Sequence, residues 1–451
     1  MSQLKYVIFF GAFAVGIPAG YKYAKQNKYV ENFVFFLMIF FTCVEVTINF
    51  VSRETYRGTS RGFEIGLIDL ACIIILLLII DRKKKYPIKM LPPGSVLYFI
   101  FFFFSFLSFY NSDIMLYSWF EIWKMVRMYF YFWVIYNYIN DFDRIEILMK
   151  YFGIILIYVF IIVLKQKYLM GIFQASGPFP HQNSLVMYNI ILSSFIFALV
   201  FNKKKSNFMF WGMVFGMGGI SIISTLSRAG MACFMISLMA IMFLTFLSGF
   251  SMRKIALTFV LALMGLGVLY KAMDSIIERF ETAPEESVET RIVLAEAAVK
   301  MANDKKLGIG LNNFALKINP PYTYGDHIPA TKGDDTKRAL VETVYLNVAA
   351  ETGWHNLVIY LIMLLTMYIR NIINFFRYKG HRYRFVLIGM LGGLTGIYIE
   401  STLEWVLKQT GNFYQLMMML SLSAVMSKLI KMERRKKKYE LRKKMEIARK
   451  K

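Results

Sequence analysis

Long apolar stretches, separated by short clusters of charged residues, run through most of this sequence. A helix needs about 20 mostly apolar residues to cross a bilayer. The stretches therefore predict an all-α, polytopic transmembrane helical bundle of about 12–14 spans. The predicted spans are 6–23, 32–51, 62–80, 95–110, 115–139, 145–164, 184–201, 207–225, 229–250, 255–271, 342–369, 385–405 and 413–430.

The composition supports a membrane protein and excludes several other classes. Hydrophobic residues make up 57% of the 451 positions and charged residues 18%, whereas soluble domains are about one quarter charged. These values exclude a soluble globular enzyme, a disordered chain and a disulfide scaffold. The three cysteines, Cys43, Cys72 and Cys233, lie in apolar stretches, where we expect them to be buried.

The basic residues give an orientation. Their excess produces a net charge of +24, but they fall between apolar stretches, so we interpret them as topology signals and exclude a nucleic-acid partner. If the spans alternate, the clusters 82–85, 203–205, 253–254 and 377–379 and the tail after 431 share one side, which the positive-inside rule makes cytoplasmic. Arg53, Arg57 and Arg61 lie outside in this scheme, against the rule.

This scheme divides the chain into four parts. A transmembrane bundle (1–271) precedes an extracytoplasmic catalytic loop (272–341), C-terminal transmembrane helices (342–430) and a basic cytoplasmic tail (431–451). Within the loop, 273–280 and 289–301 have helical spacing, and a turn is expected at Gly308-Ile309-Gly310. The tail is either a helix on anionic lipid or a solvated anchor.

Two arginines are candidate site residues on the outer side. Arg228 follows Ser227 at a corner between two spans, and Arg291 lies on the second helix-like stretch of the loop. A guanidinium group presents a fork of donors that suits phosphate oxygens. The alternatives are an Arg228 that snorkels to the interface and an Arg291 that pairs with Glu289 or Glu296.

Further candidates flank the predicted spans. Arg338 and Glu342 are four residues apart and share a face if the segment is helical. Glu342 is either half of a structural ion pair or a general base in a partly dry site. Tyr345 follows it, and a Pro/Gly turn ends in His181 and Asn183, where Asn183 or Ser184 is expected to cap the next helix.

Metal and nucleotide chemistry find little support. The four histidines share no ligand spacing, and no cysteine pair exists. We therefore predict no metal site and no cofactor.

Taken in order, several motifs resemble the O-antigen ligase and polymerase superfamily of bacterial envelopes. The resemblance covers about residues 177–378. Its motifs are Gly177-Pro178-Phe179 with Asn183, Ser227-Arg228-Ala229-Gly230, Arg291, 307–314 (LGIGLNNF), Tyr345-Leu346-Asn347 and Glu351-Thr352-Gly353.

The resemblance implies a GT-C-type glycosyltransferase in the bacterial cytoplasmic membrane, with its active site on the periplasmic side. Such enzymes move a glycan from undecaprenyl diphosphate to a sugar hydroxyl of a glycan or lipid-linked acceptor. Their products include lipopolysaccharide, capsule and exopolysaccharide. Neither a metal nor a nucleotide sugar is implied, and a chain-length regulator is a further conceivable partner.

The resemblance also suggests roles for residues. Arg228 and Arg291 match arginines thought to hold the lipid diphosphate. Many ligases carry a histidine where this chain has Glu342, so the base role survives as a carboxylate and a polymerase is favoured over a ligase. Arg338 is expected to steer the diphosphate or orient Glu342, and Tyr324 and His327 to contact sugars.

The main alternative is a transporter or flippase of lipid-linked oligosaccharides. It predicts charged groups through the depth of the bundle. Charged residues within the predicted spans keep this alternative open, namely Glu45, Glu64, Asp69, Glu121, Lys124, Arg127, Glu400 and Glu404. Glu121, Lys124 and Arg127 are either a buried charge cluster or part of a donor groove.

Overall fold

The computed structural model describes residues 2–202, 207–281, 286–328 and 340–449. Helices dominate, and two short strands form a hairpin near the N-terminus. In chain order the elements are α1 (Ser2–Gln26), α2 (Lys28–Phe40), β1 (Thr47–Phe50), β2 (Phe63–Gly66), α3 (Leu67–Asp81), α4 (Ser95–Leu107), α5 (Met115–Tyr138), α6 (Phe142–Leu164), α7 (Gln182–Val200), α8 (Phe208–Ile223), α9 (Arg228–Leu247), α10 (Met252–Glu281), α11 (Glu286–Asp304), α12 (Phe314–Lys317), α13 (Val344–Thr352), α14 (Trp354–Arg377), α15 (Arg384–Glu400) and α16 (Thr410–Arg449).

The predicted all-α polytopic bundle is confirmed. Within the described ranges, six helices are long and apolar enough to cross a membrane, and two shorter apolar helices accompany them, Ser95–Asn111 and Phe208–Ile223. The six are Tyr6–Gln26, Phe142–Leu169, Gln182–Val200, Arg228–Leu247, Trp354–Arg377 and Thr410–Glu440. The larger total of about 12–14 spans stays a prediction.

Helix α7 forms the centre of the bundle, because every side chain from 183 to 200 is buried. Helix α15 packs against it with a face of small residues. A Cβ added at Gly389 would lie 2.7 Å from Phe195 Cα, and one at Gly396 would lie 2.9 Å from an Ile190 side-chain carbon. Small residues let two helices approach closely where lipid surrounds them.

The N-terminal spans differ from prediction. In the predicted span 32–51, helix α2 ends at Phe40. In the predicted span 62–80, helix α3 begins only at Leu67. Between them β1 and β2 pair antiparallel, with Thr47 opposite Gly66 and Phe50 opposite Phe63. β-branched and aromatic residues favour strands where a segment is only half-buried. Arg53, Arg57 and Arg61 lie in the loop of this hairpin.

The two ends of the bundle are distinguished by contacts of α1. At one end the Tyr6 hydroxyl donates to Asn49 O in the hairpin (3.1 Å). At the other end Lys25 Nζ lies 2.7 Å from the Asp81 carboxylate, directly before the basic cluster 82–85. We call these the hairpin end and the basic end.

Two predicted domain boundaries fall inside continuous helices. Helix α10 runs through residue 271 to Glu281, and α16 runs through residue 431 to Arg449. The predicted span 342–369 is instead interrupted. Helix α13 begins at Val344, and Gly353, with φ of 87°, separates it from α14. Glycine adopts this left-handed conformation without a steric penalty.

Candidate active site

Glu342 lies in a non-helical segment just before α13, whereas Arg338 lies outside the described residues, so the helix face shared by the two stays a prediction. Two hydrogen bonds hold the segment against the end of α15. The Thr343 hydroxyl (3.2 Å) and the Val344 N–H (3.1 Å) both donate to Ser401 O. This docking brings Glu342 beside Glu404, which follows α15 by four residues.

Arg291 joins the two carboxylates. Its Nε lies 2.5 Å from Glu342 Oε2, and its Nη2 donates to Glu404 Oε1 at 2.8 Å. The expected alternative, pairing with Glu289 or Glu296, is not the arrangement observed. The side chains of Arg291 and Glu342 are 37% and 32% exposed, whereas that of Glu404 is 6% exposed. Arg291 and Glu342 are thus the members that a substrate can reach.

The start of α7 completes the cluster. Asn183 Nδ2 donates to Glu404 Oε1 at 2.6 Å. The helix is capped by His181, whose Nδ1 accepts from the Asn183 N–H (3.3 Å), and so the expectation of an Asn183 or Ser184 cap is wrong. The imidazole takes this place because it precedes the first helical residue with an extended backbone.

Burial and charge shift the proton affinities of the cluster. Burial raises the pKa of Glu342, although Arg291 opposes the rise. Burial and the neighbouring Glu342 charge raise the pKa of Glu404 to about 7. Burial and the charge of Arg291 lower the pKa of His181. A carboxylate with a raised pKa is a better proton acceptor near neutral pH.

Arg228 begins α9 at the hairpin end of the bundle. Ser227 caps the helix, its hydroxyl accepting from the Gly230 N–H (3.2 Å). A Cβ at Gly230 would lie 2.6 Å from a Val186 methyl group, one turn into α7 from Asn183. The corner therefore packs against the same helix end that carries Asn183.

The predicted turn at Gly308-Ile309-Gly310 is present and clamps α13. The Ile309 N–H donates to Ala350 O (2.9 Å), and Gly308 has a φ of 73°. A Cβ at Gly308 would lie 2.3 Å from the Glu351 carbonyl carbon. Asn312 then binds the hairpin loop, accepting from the Thr59 N–H (2.8 Å). The motif 307–314 thus connects α13 to the loop of the hairpin.

The remaining predicted site residues that the structure describes form their hydrogen bonds with groups outside the Arg291 cluster. Tyr345 donates to Tyr398 O (2.9 Å), and Tyr324 donates to Asp304 at the end of α11. His327 Nε2 lies 3.0 Å from Val293 O. No hydrogen bond or ion pair links these three to Glu342 or Glu404 within the described ranges. Arg338 lies outside the described residues.

Further buried charges in the bundle pair with one another and not with the Arg291 cluster. Lys408 Nζ donates to Glu351 Oε2 (2.8 Å) and Asn347 Oδ1 (2.7 Å). In α5, Lys124 Nζ pairs with Glu121 (2.7 Å) and Arg127 with Asp69 (2.8 Å). The α5 residues therefore form a buried charge cluster, which was one of the two predicted alternatives.

One comparison with known proteins identifies the region. Residues 212–361 match the family model described as O-antigen ligase. Residues 212–361 are thus similar to the O-antigen ligase domain, which supports the resemblance to the O-antigen ligase and polymerase superfamily. No curated protein matches the chain at a significant level.

The O-antigen ligase domain supports an activity of ligase or polymerase type in glycan assembly, within a multi-pass membrane protein. It begins within α8, ends within α14 and includes Arg228, Arg291 and Glu342. Asn183 and Glu404, which complete the cluster, lie on either side of the matched region.

Glu404 is the site residue that sequence analysis missed. The apolar stretch 385–405 predicts one continuous span, which places Glu404 among the charged residues within the spans. The signal available was its spacing from Glu400, which puts two carboxylates at the end of an apolar stretch. Nothing in the sequence links either of them to Arg291.

Proposed function

We propose that the protein is an integral-membrane glycosyltransferase, which transfers a glycan from undecaprenyl diphosphate to the hydroxyl of an acceptor sugar. The observation that carries this proposal is the ion pairing of Arg291 with Glu342 and Glu404 at the hairpin end of the bundle. The O-antigen ligase domain supports the reaction class. By the positive-inside rule the hairpin end faces away from the cytoplasm, since the basic cluster 82–85 lies at the other end.

Arg291 and Arg228 bind the diphosphate of the donor in this mechanism. The leaving group develops negative charge as its bond to the sugar breaks, and positive donors aimed at it stabilise the transition state. Two guanidinium groups supply this charge in a metal-independent reaction. The diphosphate replaces Glu342 as a partner of Arg291, which frees the Glu342 carboxylate.

Glu342 then acts as the general base. It takes the proton of the acceptor hydroxyl while the hydroxyl oxygen forms a bond to the anomeric carbon. The bond from that carbon to the diphosphate oxygen breaks, and the diphosphate leaves with the electron pair. A single displacement of this kind inverts the anomeric configuration. The exposure and raised pKa of Glu342 suit this role.

Glu404 acts as a positioning residue. It is nearly inaccessible, and it holds both Arg291 Nη2 and Asn183 Nδ2 on one carboxylate oxygen. Many ligases of the superfamily that this chain resembles carry a histidine at the position of Glu342. Because this chain has a carboxylate there, we favour a polymerase, in O-antigen, capsule or exopolysaccharide synthesis.

The test is a reconstituted transfer assay with undecaprenyl-diphosphate glycan, with products followed by mass. A ladder of joined repeats supports a polymerase, and a single transfer onto lipid A core supports a ligase. Glu342→Gln and Arg291→Ala should strongly reduce the rate at which either product forms, while Glu296→Gln and Arg61→Ala should not. Movement of labelled lipid across the bilayer without transfer would refute the enzyme and favour a flippase.

The stereochemistry is tested in the same assay. The configuration of the new linkage, measured by NMR coupling constants, should be opposite to that of the donor. Retention of configuration would refute a single displacement with Glu342 as the base.

A further inference from the structure

A polar cavity of about 450 Å³ lies at the basic end of the bundle, between the ends of α1, α2, α3, α5 and α6. This volume is in the range of small-molecule sites. Five basic side chains line the cavity, Lys25, Lys28, Arg82, Lys85 and Arg144, together with the two carboxylates of Glu31 and Asp141.

The cavity and the candidate active site lie at opposite ends of α6. Arg144, in the first turn of this helix, lines the cavity. Beyond the other end of α6, Gln166 Nε2 donates to Gly177 O (2.9 Å), in the turn that leads to His181. A ligand in the cavity therefore cannot contact Arg291 or Glu342.

One buried carboxylate fixes two arginines in the cavity wall. Arg82 binds Glu31 through both terminal nitrogens, at 2.6 and 2.7 Å, and Arg144 Nη2 donates to the same carboxylate at 2.5 Å. The Arg144 guanidinium also lies 3.9 Å from the Tyr138 ring centre. The two guanidinium groups carry two positive charges, whereas Glu31 carries one negative charge. The hydrogen bonds hold both groups in position without a ligand.

Two lysines at the mouth of the cavity add positive charge. Lys28, at the first residue of α2, and Lys85, after α3, are exposed, and within the described ranges neither forms an ion pair. Asp141, the second acidic residue, accepts from the Arg144 N–H as the cap of α6. The cavity thus has a net positive lining that its own acidic residues do not neutralise.

The position of the cavity matches the depth of lipid head groups. Tyr23 and Tyr29, near the α1–α2 turn, are 59% and 85% exposed, and tyrosines of this kind mark the membrane interface. The basic cluster 82–85 lies at the same level. Basic pockets between helices at this depth bind phosphorylated head groups.

We propose that this cavity binds a phosphate-bearing ligand, held by Lys28 and Lys85 at its mouth and by the positive field of Arg82 and Arg144. Two sources have this chemistry, the head group of an anionic phospholipid in the adjacent leaflet and free inorganic diphosphate. The site is separate from the one proposed for glycan transfer, and it survives if that proposal fails.

The test compares two double variants. Lys28→Gln/Lys85→Gln removes two cations that line the cavity. Lys83→Gln/Lys84→Gln removes two equally exposed cations, one of them adjacent to Lys85, that do not line it. Each protein is placed in phosphatidylcholine nanodiscs with and without phosphatidic acid. Retained lipid is counted by native mass spectrometry, and inorganic diphosphate is titrated against thermal stability.

We expect phosphatidic acid to be retained by the wild type and by Lys83→Gln/Lys84→Gln. Retention by Lys28→Gln/Lys85→Gln should fall about tenfold. Stabilisation by diphosphate alone, lost in the same variant, would assign the site to a free anion. Equal losses in both variants, or no binding of either ligand, would overturn the proposal. Melting temperatures of both variants without ligand show whether a loss reflects misfolding.

Discussion

Arg291 Nη2 and Glu404 Oε1 are 2.8 Å apart, although 113 positions separate the two residues in sequence. Arg291 belongs to helix α11, and Glu404 follows the apolar helix α15 of the bundle. Their contact fixes the loop region to the bundle at the point where Glu342 also lies.

Replacement of the base should reduce transfer more than replacement of the positioning residue. Glu342→Gln should lower the rate by about 10²–10⁴-fold, since this is the usual contribution of a general base. Glu404→Gln keeps a group that can bind Asn183, so we expect a loss of roughly tenfold. Glu296→Gln, on the exposed face of α11, is the control. Equal losses at 342 and 404 would argue against the division of roles.

Removal of Arg291 should move the pH profile. Arg291 lowers the pKa of Glu342, so its loss raises that pKa. The reaction needs the ionised carboxylate, and activity therefore falls on the acid side as Glu342 gains a proton. In Arg291→Gln the acid limb of the residual activity should lie at higher pH than in the wild type. If the acid limb of the profile does not move, Glu342 is not the group that takes the proton.

Stability should depend on pH through Glu404. Its pKa is raised to about 7 in the folded protein, so the folded state holds this proton more tightly than the unfolded state. The ionised carboxylate then destabilises the fold progressively between about pH 4.5 and pH 7, by about 3 kcal/mol at most. Glu404→Gln should therefore gain in melting temperature relative to the wild type over this interval. A constant difference across the interval would contradict the raised pKa.

The buried pair of Lys408 and Glu351 gives a double-mutant prediction. Lys408→Met leaves the Glu351 carboxylate, which is fully buried, without its cation. The expected cost is about 3–5 kcal/mol. Adding Glu351→Gln should restore much of this loss, because the unpaired charge is removed. Thermal melting of the two single variants and the double variant measures the coupling, and additive losses would contradict it.

The clamp at Gly308 can be tested with a matched glycine. Gly308→Ala requires a left-handed conformation and collides with the backbone at Glu351. We expect a loss of roughly 1–3 kcal/mol or more. Gly212→Ala in α8 meets open space and should leave the melting temperature unchanged or raise it. Similar effects at both positions would show that the turn does not hold α13.

The sequence determined the class of this protein. An apolar stretch of membrane length has few alternatives to a helix, because backbone groups in lipid must be satisfied within the segment. The helical bundle, the turn at Gly308-Ile309-Gly310 and the family resemblance could therefore be predicted from the sequence alone. The hairpin at 47–66 was not, since a β-branched apolar segment at the end of a span is also compatible with helix.

The partners of the charged residues were decided only by the tertiary structure. Local spacing offered Arg291 two neighbours, Glu289 and Glu296, and it offered Glu342 a partner at Arg338. The observed partners, Glu342 and Glu404, come from segments that approach only when α11 and α13 pack on the end of α15. Apolar periodicity depends on nearest neighbours along the chain, whereas the pairing of buried charges depends on which helix ends meet, and packing alone sets that.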